Sequence, residues 1–451
     1  MLIRQGVMNS KSLLLEASLV GRPKPHIGSG FLVRWLAVAT FCYLLSGQAL
    51  GSRDPLGTSL GWNAYAELAL FLVSVTIAWA IWAMHGVVAR PPNSLWLFLT
   101  LGFIALVSSV RSYWPALSIA KGCLFCVVLL LAELLCNTFS PGAILRSIYY
   151  GIVSVFIVAI LMGIAFPGTY PLTVTGASGR ERLALFIYTS GDSAPMTGLG
   201  VFIGRLPAVR ARWYFQAFLV VLTVASGSRA CTCALIVIWA AIQLCRAMDF
   251  RLRIGIVAAG AVAVVLALIL ASNAYSGFGA GIYHSVQAFY VSDVEQSPWE
   301  LDGRVELWKD AAGVFGNSVL VGFGFDGARD QIFRLRPWSG QAHNGFLDLL
   351  LAAGGAGLIS FLAGWISAVR KCFKSKTGRS ALAIHCFLLI VAIISPTFTL
   401  NQYFSVFLIL CLHYWTRSLG VDESKQLLIR RSVMNAMPKR AEPMPLGVDT
   451  G

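Results

Sequence analysis

About twelve apolar runs divide this chain, each near the ~20 residues a helix needs to cross roughly 30 Å of hydrocarbon. They fall near 31–49, 64–84, 94–110, 115–136, 143–166, 192–206, 213–227, 229–246, 254–272, 346–369, 380–397 and 402–416. The sixth and seventh are short. The runs are continuous rather than alternating with period two, which favours helices over a closed barrel. With 57% hydrophobic and 12% charged residues, the balance is that of a membrane protein, not a soluble domain. The expected fold is an all-α polytopic membrane protein of about 12 transmembrane helices, with a large extracytoplasmic loop of short helices between helices 9 and 10. The segments are an N-terminal tail 1–30, helices one to nine within 31–272, a loop 273–345, helices ten to twelve within 346–416, and a C-terminal tail 417–451.

Residues 1–30 carry Arg4, Lys11, Arg22 and Lys24 and hold no clean apolar core ahead of a cleavage site. The first spanning helix is therefore expected to insert the chain and stay. A net charge of +15 invites a nucleic-acid reading, but the distribution argues against it. With both termini cytoplasmic, the inner segments hold 23 Lys and Arg and the outer ones 10. That is the positive-inside pattern, so most of the basic charge sets topology and needs no ligand. The ten cysteines fall in predicted helices or on the inner side. Disulfides are not expected to matter. Cys123 and Cys126 have CxxC spacing, but inside an apolar helix with no second pair, so no metal or redox role is assigned.

Two outer segments are long, 167–191 and 273–345. The second carries Trp299, Trp308 and Trp338 among its charges and reads as short helices at the membrane surface. In one of them Asp302 can cap a helix starting at Gly303 or Arg304, with Leu307, Trp308, Ala311, Ala312 and Phe315 as its apolar stripe. Arg304 would stand in the first turn beside free N–H groups, an arrangement suited to an anion. Pairing of Arg304 with Glu306 or Asp302 is the plainer alternative. Ala352 to Gly357 is a run of small residues that permits close helix packing.

Candidate chemistry gathers on the outer side. His343, at the mouth of the tenth helix, can take a proton from an attacking hydroxyl or bind a phosphate when charged. Asn344 can orient a ring or a sugar hydroxyl, and Asp348 follows just over one turn later on the same helix. A helix-mouth histidine that merely faces water is the alternative. Arg229 ends the tight turn Ser226-Gly227-Ser228-Arg229, where a guanidinium can grip a diphosphate bidentately or snorkel to headgroups. Arg180 and Arg182 are two residues apart, so in an extended segment both lie on one face. Lys121 lies six residues past Pro115, roughly 9 Å along its helix, and an intramembrane cation is a functional candidate by default. Arg111, Arg329, Arg334 and Arg336 have no distinctive spacing. No P-loop, GxSxG, HExxH or nucleotide-binding fingerprint sits at a strand–helix junction. Together these residues suggest an enzyme acting on a lipid-linked anionic substrate.

Six elements, in order, resemble one family. They are Ser112 to Ser118 with Lys121, Gly179 to Phe186, Ser226 to Arg229, Asp302 to Trp308, Val321 to Gly324, and Ala342 to Asp348. The chain resembles the O-antigen ligase and polysaccharide polymerase superfamily of bacterial inner membranes, most of all its exopolysaccharide (succinoglycan-type) polymerases. At 187–193 it reads Ile-Tyr-Thr-Ser-Gly-Asp-Ser where the family carries a His-x-Asn or His-Lys-Asn run. The resemblance implies a donor glycan on undecaprenyl diphosphate, polymerised on the periplasmic side, with transfer to lipid A core or protein as the alternative. It implies that Arg229, Arg304 and the Arg180/Arg182 pair neutralise the diphosphate and that the residue at His343 is essential. No cofactor and no metal is implied. The expected partners are the lipid-linked oligosaccharide and the membrane, with flippase and chain-length regulator proteins as candidates and no nucleic acid. A transporter of lipid-linked sugars is a further alternative; it would want internal repeats and a continuous polar path, and neither is visible.

Overall fold

A computed structural model describes residues 91–113, 115–167, 172–175, 181–183, 190–226, 228–247, 304–325, 327–336, 342–373, 377–394 and 404–419, with Leu72 and Thr76. The apolar runs at 31–49 and 254–272, the run 64–84 apart from Leu72 and Thr76, the N-terminal tail and the C-terminal tail beyond residue 419 lie outside these residues. The helices are α1 (Asn93–Ser108), α2 (Pro115–Thr138), α3 (Pro141–Ala165), α4 (Ser190–Gly204), α5 (Trp213–Ala225), α6 (Arg229–Ala247), α7 (Arg304–Phe315), α8 (Gly327–Leu335), α9 (Gly345–Cys372) and α10 (Leu382–Ile394). A further helix, α11, spans Phe404–Leu419. Among the described residues, four helical stretches are long and apolar enough to cross a membrane: Asn93–Arg111, Ser118–Thr138, Pro141–Ala165 and Gly345–Cys372. Five shorter apolar helices accompany them.

Helix limits follow local chemistry. Pro115 and Pro141 open α2 and α3, where a fixed φ and a missing N–H cost nothing. Ser140 caps α3 by accepting from the Ala143 N–H at 3.3 Å. The α1 helix tightens into a 3-10 turn over Ser109–Arg111 before the chain reverses. One feature departs from an all-helical reading. Thr173–Thr175 (β1) and Glu181–Leu183 (β2) pair as an antiparallel hairpin, with Val174 opposite Arg182. A β-branched Thr-Val-Thr run favours that extended form.

Antiparallel neighbours build the bundle. The α1 and α9 helices pack closely because small residues on one meet rings on the other. A Cβ on Gly364 would stand 2.9 Å from the Phe98 ring, and Ser360 Oγ donates to the Leu97 carbonyl at 2.7 Å. The α4 and α5 helices are joined the same way, by a bond from Thr223 Oγ1 to Thr197 Oγ1 at 2.8 Å. The up-and-down order puts the end of α1, the β1–β2 hairpin, the α5–α6 turn and the start of α9 at one end of the bundle.

The α9 helix is broken. Gly354 has φ +67° and ψ −172°, outside helical space. The break exchanges two helical bonds for four bonds to the segment after α7. The N–H groups of Phe323 and Gly324 donate to the Leu351 and Ala352 carbonyls at 2.7 and 2.8 Å. In return the N–H groups of Gly355 and Ala356 donate to the Val319 and Leu320 carbonyls at 2.7 and 3.2 Å. Two glycines permit the approach. Gly322 and Gly324 have φ +72° and +85°, and a Cβ on Gly322 would lie 2.6 Å from the Ala352 backbone. The Ala352–Gly357 run thus does two jobs: Gly354 breaks the helix, and Gly357 lies against Leu101 of α1.

Candidate active site

The start of α9 is built by three consecutive residues. Asn344 is its N-cap, its Oδ1 accepting from the N–H groups of Phe346 and Leu347 at 3.1 and 3.2 Å. His343, just before, holds φ +51°. Left-handed backbone is uncommon for a residue with a side chain and marks a position held by its surroundings. The holding is visible one residue earlier. Ala342 is fully buried, and both polar atoms of its backbone are gripped. Its N–H donates to Asp348 Oδ1 at 2.8 Å, and its carbonyl accepts from Trp308 Nε1 at 2.9 Å.

This clamp joins two elements. Asp348 belongs to the first turn of α9, while Trp308 lies in the middle of α7. Four residues before Trp308 on the same helical face stands Arg304, the first residue of α7. Docking the indole on Ala342 therefore sets the N-terminus of α7 about one turn, roughly 6 Å, from the clamp. The anchor of α7 is Leu307 and Ala311, both fully buried; Ala312, expected on the same stripe, is exposed. The stripe is narrower because only one side of a 12-residue surface helix meets the bundle. A second tie comes from Asp310, which pairs with Arg336 just past α8 at 2.7 Å.

Arg229 is the first residue of α6, and Ser226 and Ser228 shape the turn before it. Ser226 Oγ donates to the Thr223 carbonyl at 2.6 Å, and the Ser228 carbonyl accepts the first bonds of α6 from Thr232 at 3.0 Å. Arg182 stands in the extended strand β2, and Arg180 lies outside the described residues. Lys121 is half-buried on α2, next to Gly122, which faces Phe325. Asp348 is buried, 6% exposed, with one oxygen on the Ala342 backbone and Oδ2 without a partner among the described residues.

Three of the less distinctive arginines are engaged within the protein. Arg111 donates to Ser318 Oγ at 2.6 Å and lies over the Phe323 ring at 5.6 Å. Arg334 pairs with Asp330 at 3.0 Å and stacks on Tyr113 at 4.4 Å, while Arg336 holds Asp310. Trp308 was missed as a site residue. Its signal was available: an indole N–H on a buried stripe needs an acceptor.

A family model described as O-Antigen ligase matches residues 214–362 of the 451. The matched stretch runs from α5 through the Arg229 turn, α7, α8 and the His343 turn into α9. It supports placing the chain in the O-antigen ligase and polymerase superfamily. No curated protein matches the chain.

Proposed function

We propose that this chain, which over residues 214–362 matches the family model of the O-antigen ligases, polymerises undecaprenyl-diphosphate-linked oligosaccharide repeat units into exopolysaccharide at the periplasmic face of a bacterial inner membrane. The family fits a multi-pass membrane glycosyltransferase of the ligase or polymerase type. The donor lipid, the choice of polymerisation and the residue roles are our own reading. One observation carries it: His343 is held in a left-handed turn by a clamp that also sets the Arg304 end of α7 beside it.

The chemistry follows from that placement. An acceptor hydroxyl attacks the anomeric carbon of the donor glycan. The new C–O bond forms as the bond to the diphosphate breaks, which inverts configuration. His343 orients the hydroxyl and takes its proton. The polyprenyl diphosphate leaves with its charge, and Arg229 and Arg304 neutralise it, with Arg180, Arg182 and Lys121 as further contacts. Both principal arginines open their helices. A cation there opposes the helix dipole and is favourable only when an anion is bound. Asn344 caps α9 and leaves His343 at the edge of the turn.

Reconstitution with the lipid-linked repeat unit tests the reading. A ladder of glycan multiples is expected, and Arg229→Ala and His343→Ala should each remove it while protein levels stay normal. A single transfer to added lipid A core, with no ladder, would replace polymerase by ligase. Full polymer from both variants would refute the site.

A further inference from the structure

We propose that residues 318–324 form a re-entrant segment set into the membrane hydrocarbon on the His343 side, with Val319 and Leu320 facing lipid chains. The proposal does not rest on the reaction above. Its first support is the backbone. In hydrocarbon every peptide group needs a protein partner, since water is absent. Five consecutive carbonyls of this irregular segment have one. Ser318 accepts from the Gly322 N–H at 3.3 Å, Val319 from Gly355 at 2.7 Å, and Leu320 from Ala356 at 3.2 Å. The Val321 carbonyl accepts from Ser108 Oγ, and that of Gly322 from Ser318 Oγ at 2.9 Å. On the donor side the N–H groups of Ser318, Gly322, Phe323 and Gly324 are bonded and those of Val319 to Val321 have no backbone acceptor among the described residues, so the carbonyls carry this support.

Depth is the second support. The span Asn93–Arg111 has 19 residues. At 1.5 Å per helical residue and 2.0 Å in its 3-10 turn it is about 30 Å long, so nearly all of it is needed to cross. Ser108 lies three residues short of Arg111 on the membrane side, and the segment is bonded there. Its contacts on α9, at Leu351 to Ala356, lie within the Gly345–Cys372 span. The following Phe325 goes deeper: its ring is 5.5 Å from Phe125, ten residues and about 15 Å past Pro115. Arg111 closes the top by donating to Ser318 Oγ, as an interface cation does.

The third support is the surface. Val319 and Leu320 are 51% and 71% exposed, at the level of Val107 and Val110 on α1, themselves 51% and 75% exposed. Apolar side chains on an irregular segment thus continue the exposed face of a spanning helix, and hydrocarbon is the partner that suits both.

Benzoylphenylalanine placed at 320 in the full chain tests this. The protein is put in nanodiscs of phosphatidylethanolamine and phosphatidylglycerol, irradiated and weighed intact. Ile359, 70% exposed on α9, is the lipid-facing reference, and Gly313 on α7, with nothing within 4 Å, the outside one. Phospholipid adducts at 320 and 359 but not at 313 are expected. Adducts at 359 alone would overturn the proposal. So would a protein cross-link from 320, which would show a second copy or another segment covering the site.

Discussion

His343 keeps a left-handed backbone at a cost of about 1–2 kcal/mol for a residue with a Cβ. A glycine would relieve that strain and remove the imidazole with its contacts. His343→Gly is expected to stay folded, within about 1 kcal/mol of the parent, yet to lose transfer. Thermal melts and product assays on the same preparation check this; retained transfer would return the imidazole to a bystander role. Asp348 poses the complementary question, because its buried carboxylate holds the Ala342 N–H rather than open space. If it positions the turn, Asp348→Asn keeps most activity, since the amide oxygen can accept the same bond. Asp348→Leu should then lower kcat at least about tenfold with KM little changed, as a transition-state misplacement does. Equal loss in both variants would instead give the negative charge a direct part. His343 and Asn344 were legible as a helix mouth. Their clamp was not, because Trp308 lies 35 residues before His343 and only the fold brings the indole to Ala342.

The long helices were legible at nearly their full extent, because a membrane span must be apolar throughout and is closed by proline, serine or arginine. The expected run 94–110 became α1, 143–166 became α3, and 346–369 became α9, within a few residues each. Within α9 the pattern hid a second feature. Small residues permit either close packing or unwinding, and no local signal separates the two. The decision rests on the 319–324 segment, some 30 residues earlier, which supplies the missing hydrogen bonds. This gives a prediction for the element. A Cβ on Gly354 would stand 2.2 Å from the Leu320 carbonyl oxygen, at φ +67°. Neither partner is a movable side-chain end. Gly354→Ala should destabilise by at least about 3 kcal/mol. Detergent-solubilised protein should fall in yield and monodispersity, whereas Gly313→Ala, with open space around it, should be indistinguishable from the parent. A normal Gly354→Ala protein would mean that the break in α9 is not needed for folding.

Across the whole molecule the two ends of the bundle differ in kind. The His343 end presents arginines at helix starts and a strained turn. At the other end polar groups are turned inward on each other. Arg146 donates to the Ala208 carbonyl at 2.9 Å, and Arg205 lies over Trp239 at 5.8 Å, so these two cations are held by the protein. Below them Ser94 Oγ meets His413 Nδ1 at 2.8 Å, and Trp365 Nε1 donates to His385 Nδ1 at 2.9 Å. With Nδ1 accepting, the neutral His385 ring carries its proton on Nε2, which is buried with no partner among the described residues. A histidine so enclosed cannot reach a substrate, and its partner Trp365 stands 20 residues along α9 from Gly345, about 30 Å. Its work is to satisfy the indole. His385→Leu and His413→Leu should each leave a buried donor or hydroxyl unpaired, at about 1–3 kcal/mol. The expected result is a lowered melting temperature with unchanged transfer per folded molecule, the reverse of His343→Gly. That opposition tests the assignment of chemistry to one end. If His385→Leu lowered kcat in protein that remains folded, the two ends would be coupled through α9, and its break at Gly354 would be the first place to look for the coupling.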